Sequence, residues 1–300
     1  MLLSEQITLQ LAKRGFLGYL SRREELHFRE VEVMADIEKY YDQKAQQEWD
    51  RLERHRTEFA VTMRAFEEYL PKPPAKVLDI GGGPGRYAIS LTQQGYTVTL
   101  VDLSKSCLEF AKDRAKEAGV ELAGYVHGNA TDLAQFPSES YDVVLLMGPL
   151  YHLLTIEDRQ KALHEAGRVL RSGGSIFASF IGRYAQIRYA AKHVTTWIVE
   201  HRRRCEELLA TGVLKARPEG GGFTDAYFAH PSEIKPFMEE GGFETLDLIA
   251  CEGVISMIEE KVNDLIGELW QAWVELNYRL GKDPTLHGAA EHLLYVGRKR

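Results

Sequence analysis

Between residues 77 and 180, short apolar runs alternate with amphipathic stretches, and this alternation narrows the available folds more than any other feature of the chain. The runs at 77–80, 97–101, 124–127, 141–147 and 174–180 are too short for helices and read as buried strands. The stretches 85–94, 105–118 and 157–170 repeat apolar residues at three- and four-residue spacing, the period of a helix. A strand, helix and strand in succession close through a right-handed crossover. The expected architecture is therefore α/β, a doubly wound parallel sheet with helices on both faces.

The first strand runs directly into a glycine turn, "VLDIGGGPGRY" (77–87), with four glycines in five positions behind Asp79. In a doubly wound sheet this turn sits at the carboxyl edge, where ligands bind, and glycine lets the main chain approach them closely. The dinucleotide fingerprint GxGxxG accommodates Gly81 and Gly83. Its third glycine would fall on Arg86, where a helix has to pack closely. An NAD-dependent oxidoreductase is thus the alternative reading rather than the first.

Outside this region the pattern is less regular. Residues 5–69 are helical in pattern, and the prolines of "LPKPPAK" (70–76) mark a linker. We expect a helical extension over 1–70 that covers the active site, then a main domain over 71–300 with insertions at about 182–228 and 253–281. A helix starting near Pro231, a sixth strand over 244–251, and a long amphipathic helix over 256–280 follow. The long helix places Val262, Leu265, Ile266, Leu269, Trp273, Leu276 and Leu280 on one face. "EHLLYVGRK" (291–299) reads as a last strand.

Composition excludes several classes. With 300 residues, 44% of them hydrophobic, the chain can bury a full core, and its net charge of −7 offers no general attraction for nucleic acid or anionic membrane. Nowhere do about 18 uncharged apolar residues run together, so no membrane span is expected. Cys107, Cys205 and Cys251 are scattered, which suggests neither disulfides nor a metal site and fits a cytoplasmic protein.

Asp79, Gly81, Gly83 and Gly85 at alternate positions resemble motif I of the class I S-adenosylmethionine-dependent methyltransferases of small-molecule type. Asp102, at the end of the second strand, would then accept from the ribose hydroxyls, with Leu103 beside it. "GNATDL" (128–133) is similar to the adenine-binding segment of that family, with Asn129 where Asp is usual and Ala130 contributing its backbone. "MGPLYHL" (147–153) is similar to the motif after the fourth strand, which would put Met147 and Gly148 beside the sulfonium. The resemblance implies a seven-stranded sheet with its last strand antiparallel. It also implies S-adenosyl-L-methionine as cofactor, S-adenosyl-L-homocysteine as product, and methyl transfer to O, N or S of a small molecule. It implies Asp79, Gly81, Gly82, Gly83, Asp102, Leu103, Asn129, Ala130, Met147 and Gly148 as cofactor contacts. A cofactor-binding protein without catalysis is a further alternative.

Methyl transfer from a sulfonium needs alignment and exclusion of water more than acid–base power. His152 is the candidate base, its ordinary pKa being near neutrality, and Tyr151 a neighbour that could orient the acceptor. Tyr41, Tyr184 and Tyr227 are candidate substrate contacts. Residues 182–217 carry eight Lys or Arg against three Glu, which an anionic acceptor could exploit, although internal pairing at helical spacing is the more ordinary outcome. "YYDQKAQQEWDRLERHR" (40–56) resembles the helix that folds over the cofactor in related enzymes, with Tyr40, Tyr41, Trp49 and Arg51 as cover or as partners of the cofactor carboxylate. "ITLQLAKRGFLGYL" (7–20) could pack on a lid or on a second subunit of a homodimer.

Overall fold

The computed structural model describes residues 37–216 and 223–300. The readings made on residues 1–36 lie outside the described residues. Among the described residues there are nine strands: β1 Lys76–Ile80, β2 Thr97–Asp102, β3 Gly124–His127, β4 Tyr141–Leu146, β5 Leu170–Ile181, β6 Val213–Leu214, β7 Ala226–Tyr227, β8 Phe243–Ala250 and β9 His292–Lys299. Seven of them form one sheet in the order β3-β2-β1-β4-β5-β9-β8, while β6 and β7 pair separately. Strands β1 to β5 are mutually parallel, and β9 runs antiparallel between β5 and β8, as expected of the last strand.

Alternate residues of the central strands feed two cores. Leu78, Ile80, Val144 and Leu146 point to one face, and Val77, Val98, Leu100, Val143 and Leu145 to the other. A period-two split with both sides apolar is what continuous Val/Leu/Ile runs produce when helices cover both faces. The helix after the glycine turn is Arg86–Gln93, one residue shorter at each end than expected, because Gly85 takes a left-handed conformation (φ 79°) as its N-cap. A Cβ on Gly85 would lie 3.0 Å from that of Ala111 and 3.2 Å from Leu100 Cδ2. The close helix contact reserved for a third glycine in the dinucleotide pattern is thus made by Gly85, and Arg86 is free to reach the Trp49 carbonyl at 3.0 Å.

One expectation fails. The single long helix over 256–280 is three pieces: a 3-10 turn Gly253–Ile258, a short helix Glu259–Asn263 and a helix Gly267–Gly281. Gly267 at φ 60° breaks the run, since left-handed backbone cannot continue an α-helix. The break rotates the apolar face away from the core. Tyr278 and Asn277 are buried, while Ile266 and Leu269 are 81% and 64% exposed. The helix Arg56–Tyr69 packs beside Gly267–Gly281, with Arg64 ion-paired to Glu275 at 3.2 Å and the Tyr278 hydroxyl donating to Glu68 at 2.9 Å. Among the described residues no helix is long and apolar enough to cross a membrane.

Candidate active site

Loops at the carboxyl ends of β1 to β4 meet under the N-terminal helices and enclose a narrow cavity of about 130 Å³. Gly81 begins the first loop, its N–H donating to Val101 O at 2.7 Å. The glycines of this loop serve different ends. A Cβ on Gly81 would lie 2.6 Å from Pro149, and one on Gly82 would lie 2.4 Å from Asp79 Oδ2, so packing within the chain demands both. Only Gly83 (φ 55°) faces open space, and that space is the cavity.

Asp79 is not on the cavity. It lies fully buried beneath Gly82, and neither carboxylate oxygen has a partner. Burial, assisted by the nearby Asp102 carboxylate, pushes its pKa up to about 7. The β1 register that turns Leu78 and Ile80 to one face turns Asp79 down into the opposite core, which is why it does not reach the edge. Asp102 does reach it. Oδ2 accepts from the Gly83 N–H and Oδ1 from the Ser104 N–H, both at 2.8 Å. Burial raises its pKa to about 6 against these two donors. Leu103, Asn129, Ala130, Met147 and Gly148 line the same cavity. The Asn129 Oδ1 accepts from the Thr131 N–H at 3.0 Å, so the side-chain oxygen holds its own turn.

His152 and Tyr151 sit on a short helix, Pro149–His152, at the cavity floor. His152 Nε2 is 2.8 Å from the Tyr41 hydroxyl and Nδ1 is 3.1 Å from Thr224 Oγ1. The Thr224 hydroxyl donates to the Asp225 carbonyl at 3.2 Å, so it can only accept from His152. This assigns the proton to Nδ1 and makes Nε2 the acceptor of the Tyr41 O–H. Burial pushes the His152 pKa down to about 4, well below the neutrality anticipated from the sequence.

Arg51 enters from the helix Ala45–Arg54 and clamps Glu58 with two hydrogen bonds, 2.6 and 3.3 Å. Behind Glu58, His292 Nδ1 lies 2.6 Å from Glu252 Oε1 and 3.5 Å from Glu58 Oε2. Burial opposes a charged imidazole there, but the two carboxylates outweigh it and raise the His292 pKa to about 9. Glu58, Glu252 and His292 offer three ligand atoms within 4.8 Å of one another. The Arg51 guanidinium and the imidazolium already satisfy those carboxylates, which disfavours a metal ion. None of Glu58, Glu252 and His292 was expected from the sequence.

A second, wider cavity of about 560 Å³ adjoins the first and shares the wall made by Tyr41, Glu48, Arg51 and Tyr151. It is also lined by Tyr189, Lys192, Phe223, Glu259 and Glu291, with the Phe223 ring beside Tyr151 and His152. Tyr41 is thus placed between the two cavities, but Tyr184 and Tyr227 line neither. The Tyr227 hydroxyl donates to Glu233 at 2.6 Å and its ring lies under the Arg159 guanidinium, while the Tyr184 ring packs edge-on against His230. Half of the basic stretch is committed: Arg183 to Glu233, Arg188 to Ser256, Lys192 to Glu291 and Lys215 to Asp225.

Comparison with known proteins bears on the sheet and the glycine turn. Residues 78–178 match the family described as "Methyltransferase domain". The ubiquinone biosynthesis O-methyltransferase of Klebsiella pneumoniae is 37% identical over 108 residues, 36% of this chain and 43% of that protein, so the match spans less than half of the relative. The fold is similar to a SAM-dependent methyltransferase from Methanosarcina mazei (TM-score 0.53, 18% identity, 78% of this chain and 96% of that one). It is also similar to a Pyrococcus horikoshii protein (TM-score 0.52, 16% identity, 82% and 91%). The methyltransferase-domain match thus runs from β1 into β5 and includes the glycine turn, in a sheet whose order is the one described above.

Proposed function

We propose that the protein transfers the methyl group of S-adenosyl-L-methionine to a small-molecule acceptor, and that the acceptor occupies the wider cavity. The observation that carries this reading is the shared wall. A narrow cavity at the glycine loop and a wide one beyond it meet at Tyr41, Glu48, Arg51 and Tyr151, so two ligands would touch there and nowhere else. The names of the curated relatives support oxygen as the atom methylated.

The narrow cavity fits the cofactor. Asp102 is a buried carboxylate with one backbone donor on each oxygen and a raised pKa, a group short of donors that two ribose hydroxyls would complete. The open main chain of Gly83 and the backbones of Ala130 and Gly148 complete the set, with Leu103, Asn129 and Met147 as flanking walls. Asp79 acts from below the loop rather than by contact. When bound, the cofactor supplies an already activated methyl group, so the protein's work is to align, to desolvate and to hold protons in place.

Tyr41 and His152 divide that work. The Tyr41 hydroxyl donates its hydrogen bond to Nε2, which leaves its oxygen free to accept one from an acceptor hydroxyl. A histidine with a pKa of about 4 is a poor base, so His152 is a positioning residue that holds Tyr41. Tyr151, whose hydroxyl is raised well above its ordinary pKa by burial, remains protonated and serves as a wall.

In this reading residues 37–69 cover the site, and the insertions at about 182–228 and 253–281 shape the acceptor cavity. No nucleic acid is a partner, and a homodimer would use the exposed stripe at Ile266, Leu269, Leu276 and Leu280. The three cysteines are free and buried, which suits the cytoplasm. The test is calorimetry with S-adenosyl-L-homocysteine and with NADH, followed by a labelled-methyl screen over phenols, carboxylates, amines and thiols. Homocysteine-product binding with turnover of at least one acceptor is expected; binding of NADH instead would overturn the reading.

A further inference from the structure

Large apolar side chains left on a protein surface are ordinary when scattered and informative when they converge. Four of those exposed here line the wide cavity: Tyr189 and Met257, both 49% exposed, Ile258 at 42% and Phe223 at 38%. Among the described residues, none of comparable exposure lines the narrow cavity. They come from separate elements. Tyr189 belongs to the helix Ala185–His193, Met257 and Ile258 to the turn Gly253–Ile258, and Phe223 to the segment before β7. Neither that helix nor that turn contributes to the narrow cavity.

The opening they surround is held in shape by polar bonds. The Arg188 Nε–H donates to Ser256 Oγ at 3.2 Å and Lys192 Nζ donates to the Ser256 carbonyl at 3.3 Å, which ties the helix to the turn. The turn buries Ile255 and Ser256 and leaves Met257 and Ile258 outside, so packing within the chain does not account for the outer pair. The charges nearby select neither an anion nor a cation. Arg51, Lys192 and His292 are paired with Glu58, Glu291 and Glu252, while Arg54, Glu260 and Lys261 are exposed and of both signs. Apolar cover is what this rim lacks.

A cavity of about 150 Å³ is enough for a benzene ring. The wide cavity, at about 560 Å³, has room beyond one ring, and its apolar rim borders solvent. The four side chains surround an opening instead of forming a stripe along one helix, which suits a flexible tail better than a flat partner surface. The net charge of −7 opposes an anionic bilayer.

We propose that the acceptor is an amphiphile, with a polar head at the shared wall and an apolar tail that leaves the wide cavity across Tyr189, Met257 and Ile258. Phe223, its ring centroid 6.4 Å from that of Tyr151 and 5.5 Å from that of His152, stands where head and tail join. This names the class of acceptor and rests on the wide cavity being the acceptor site of the methyltransferase reading.

The experiment titrates 4-ethylphenol, 4-butylphenol and 4-hexylphenol into the full chain, with and without S-adenosyl-L-homocysteine. It uses wild type, the double variant Met257→Ser/Ile258→Ser, Tyr189→Ser and, as a control, Val254→Ser, a residue of the same turn that is equally exposed but does not line the cavity. Four methylenes fully buried would strengthen binding by about 200-fold, and a rim covers one side only, so 4-hexylphenol is expected to bind at least about tenfold tighter than 4-ethylphenol. The double variant and Tyr189→Ser are each expected to cut that ratio to about threefold or less, with homocysteine-product affinity kept as the sign of a folded protein, and Val254→Ser to retain it. Affinity independent of tail length in wild type, no measurable binding of 4-hexylphenol, or a tail dependence that survives in both rim variants would each overturn the proposal. So would wild-type binding to phosphatidylglycerol–phosphatidylcholine vesicles that the double variant loses, alongside a flat phenol series, since the rim would then belong to a bilayer. Absence of homocysteine-product binding to wild type instead defeats the methyltransferase reading, and the phenol series without that ligand still decides the role of the rim.

Discussion

The hydroxyl of Tyr41 lies 2.8 Å from Nε2 of His152, a contact between residues 111 apart in sequence and at the wall between two cavities. If Tyr41 orients the acceptor and His152 orients Tyr41, Tyr41→Phe removes the hydroxyl that contacts the acceptor. The expected result is a fall in kcat of about tenfold or more, the worth of one positioned hydrogen bond, with homocysteine-product affinity unchanged. The same assignment gives a pH signature. With its pKa near 4, His152 is neutral throughout pH 5.5–8, so no break in the rate profile should trace to it in that window. A kinetic pKa near 6.5 that disappears in His152→Gln would restore the role of general base.

Asp102 gives a binding prediction with a definite sign. Its carboxyl has a pKa of about 6 in the free protein, and only the ionised form offers both oxygens to ribose hydroxyls. Bound hydroxyl donors lower that pKa, so affinity for S-adenosyl-L-homocysteine rises as pH rises through about 6 and levels off above it. Asp102→Asn should bind at least about tenfold more weakly at pH 7.5, with a flat dependence between pH 5 and 7. Calorimetry across that range checks both statements, and an affinity in Asp102→Asn that matches wild type removes the residue from the site.

The central sheet and the glycine loop were legible because their signals are local. Apolar runs, helix spacing and left-handed glycines depend on neighbours in the chain, and parallel order then brings Gly83, Asp102, Ala130 and Gly148 to one edge without further information. The ionic chain was not legible. Glu58, Glu252 and His292 come from a helix, a loop and the last strand, and no periodicity links them. The aromatic residues show a third case. Composition says that tyrosines are present near the insertion but not which way they face; Tyr227 turned to Glu233 and Arg159, whereas Tyr189 and Phe223 reached the cavity. The amphipathic pattern over 256–280 misled because Gly267 resets the helical phase in its middle.

The unequal roles of the loop glycines can be separated by alanine. At Gly82 a methyl group would press on Asp79 Oδ2 at 2.4 Å and Leu100 Cδ1 at 2.5 Å, both in the core, so Gly82→Ala should destabilise by about 1–3 kcal/mol through overpacking. At Gly83 nothing lies within 4 Å, and the cost to folding is only that of a side chain at φ 55°, about 1 kcal/mol. The added methyl there enters the cavity. Thermal melts should therefore show the larger loss in Gly82→Ala, while homocysteine-product titrations show the larger loss of affinity, relative to stability, in Gly83→Ala. The reverse ranking would place the ligand away from this loop.

Asp79 bears on stability rather than contact. Its carboxyl has a pKa of about 7 folded against about 3.9 unfolded, so the native state binds its proton more tightly than the unfolded chain does. The native state is therefore favoured most below the unfolded value, and stability declines as pH rises through the window from about 4 to 7. A shift of that size corresponds to up to about 4 kcal/mol lost by pH 8. His292, raised to about 9 by its carboxylate partners, adds a decline of the same sign between about 6.5 and 9, so wild type alone does not isolate Asp79. Asp79→Asn does: it keeps the shape, cannot ionise, and should unfold at higher denaturant than wild type at pH 8 while matching or trailing it at pH 5. Equal denaturation midpoints for the two proteins at pH 8 would show that the buried carboxylate finds a partner after all and carries no penalty.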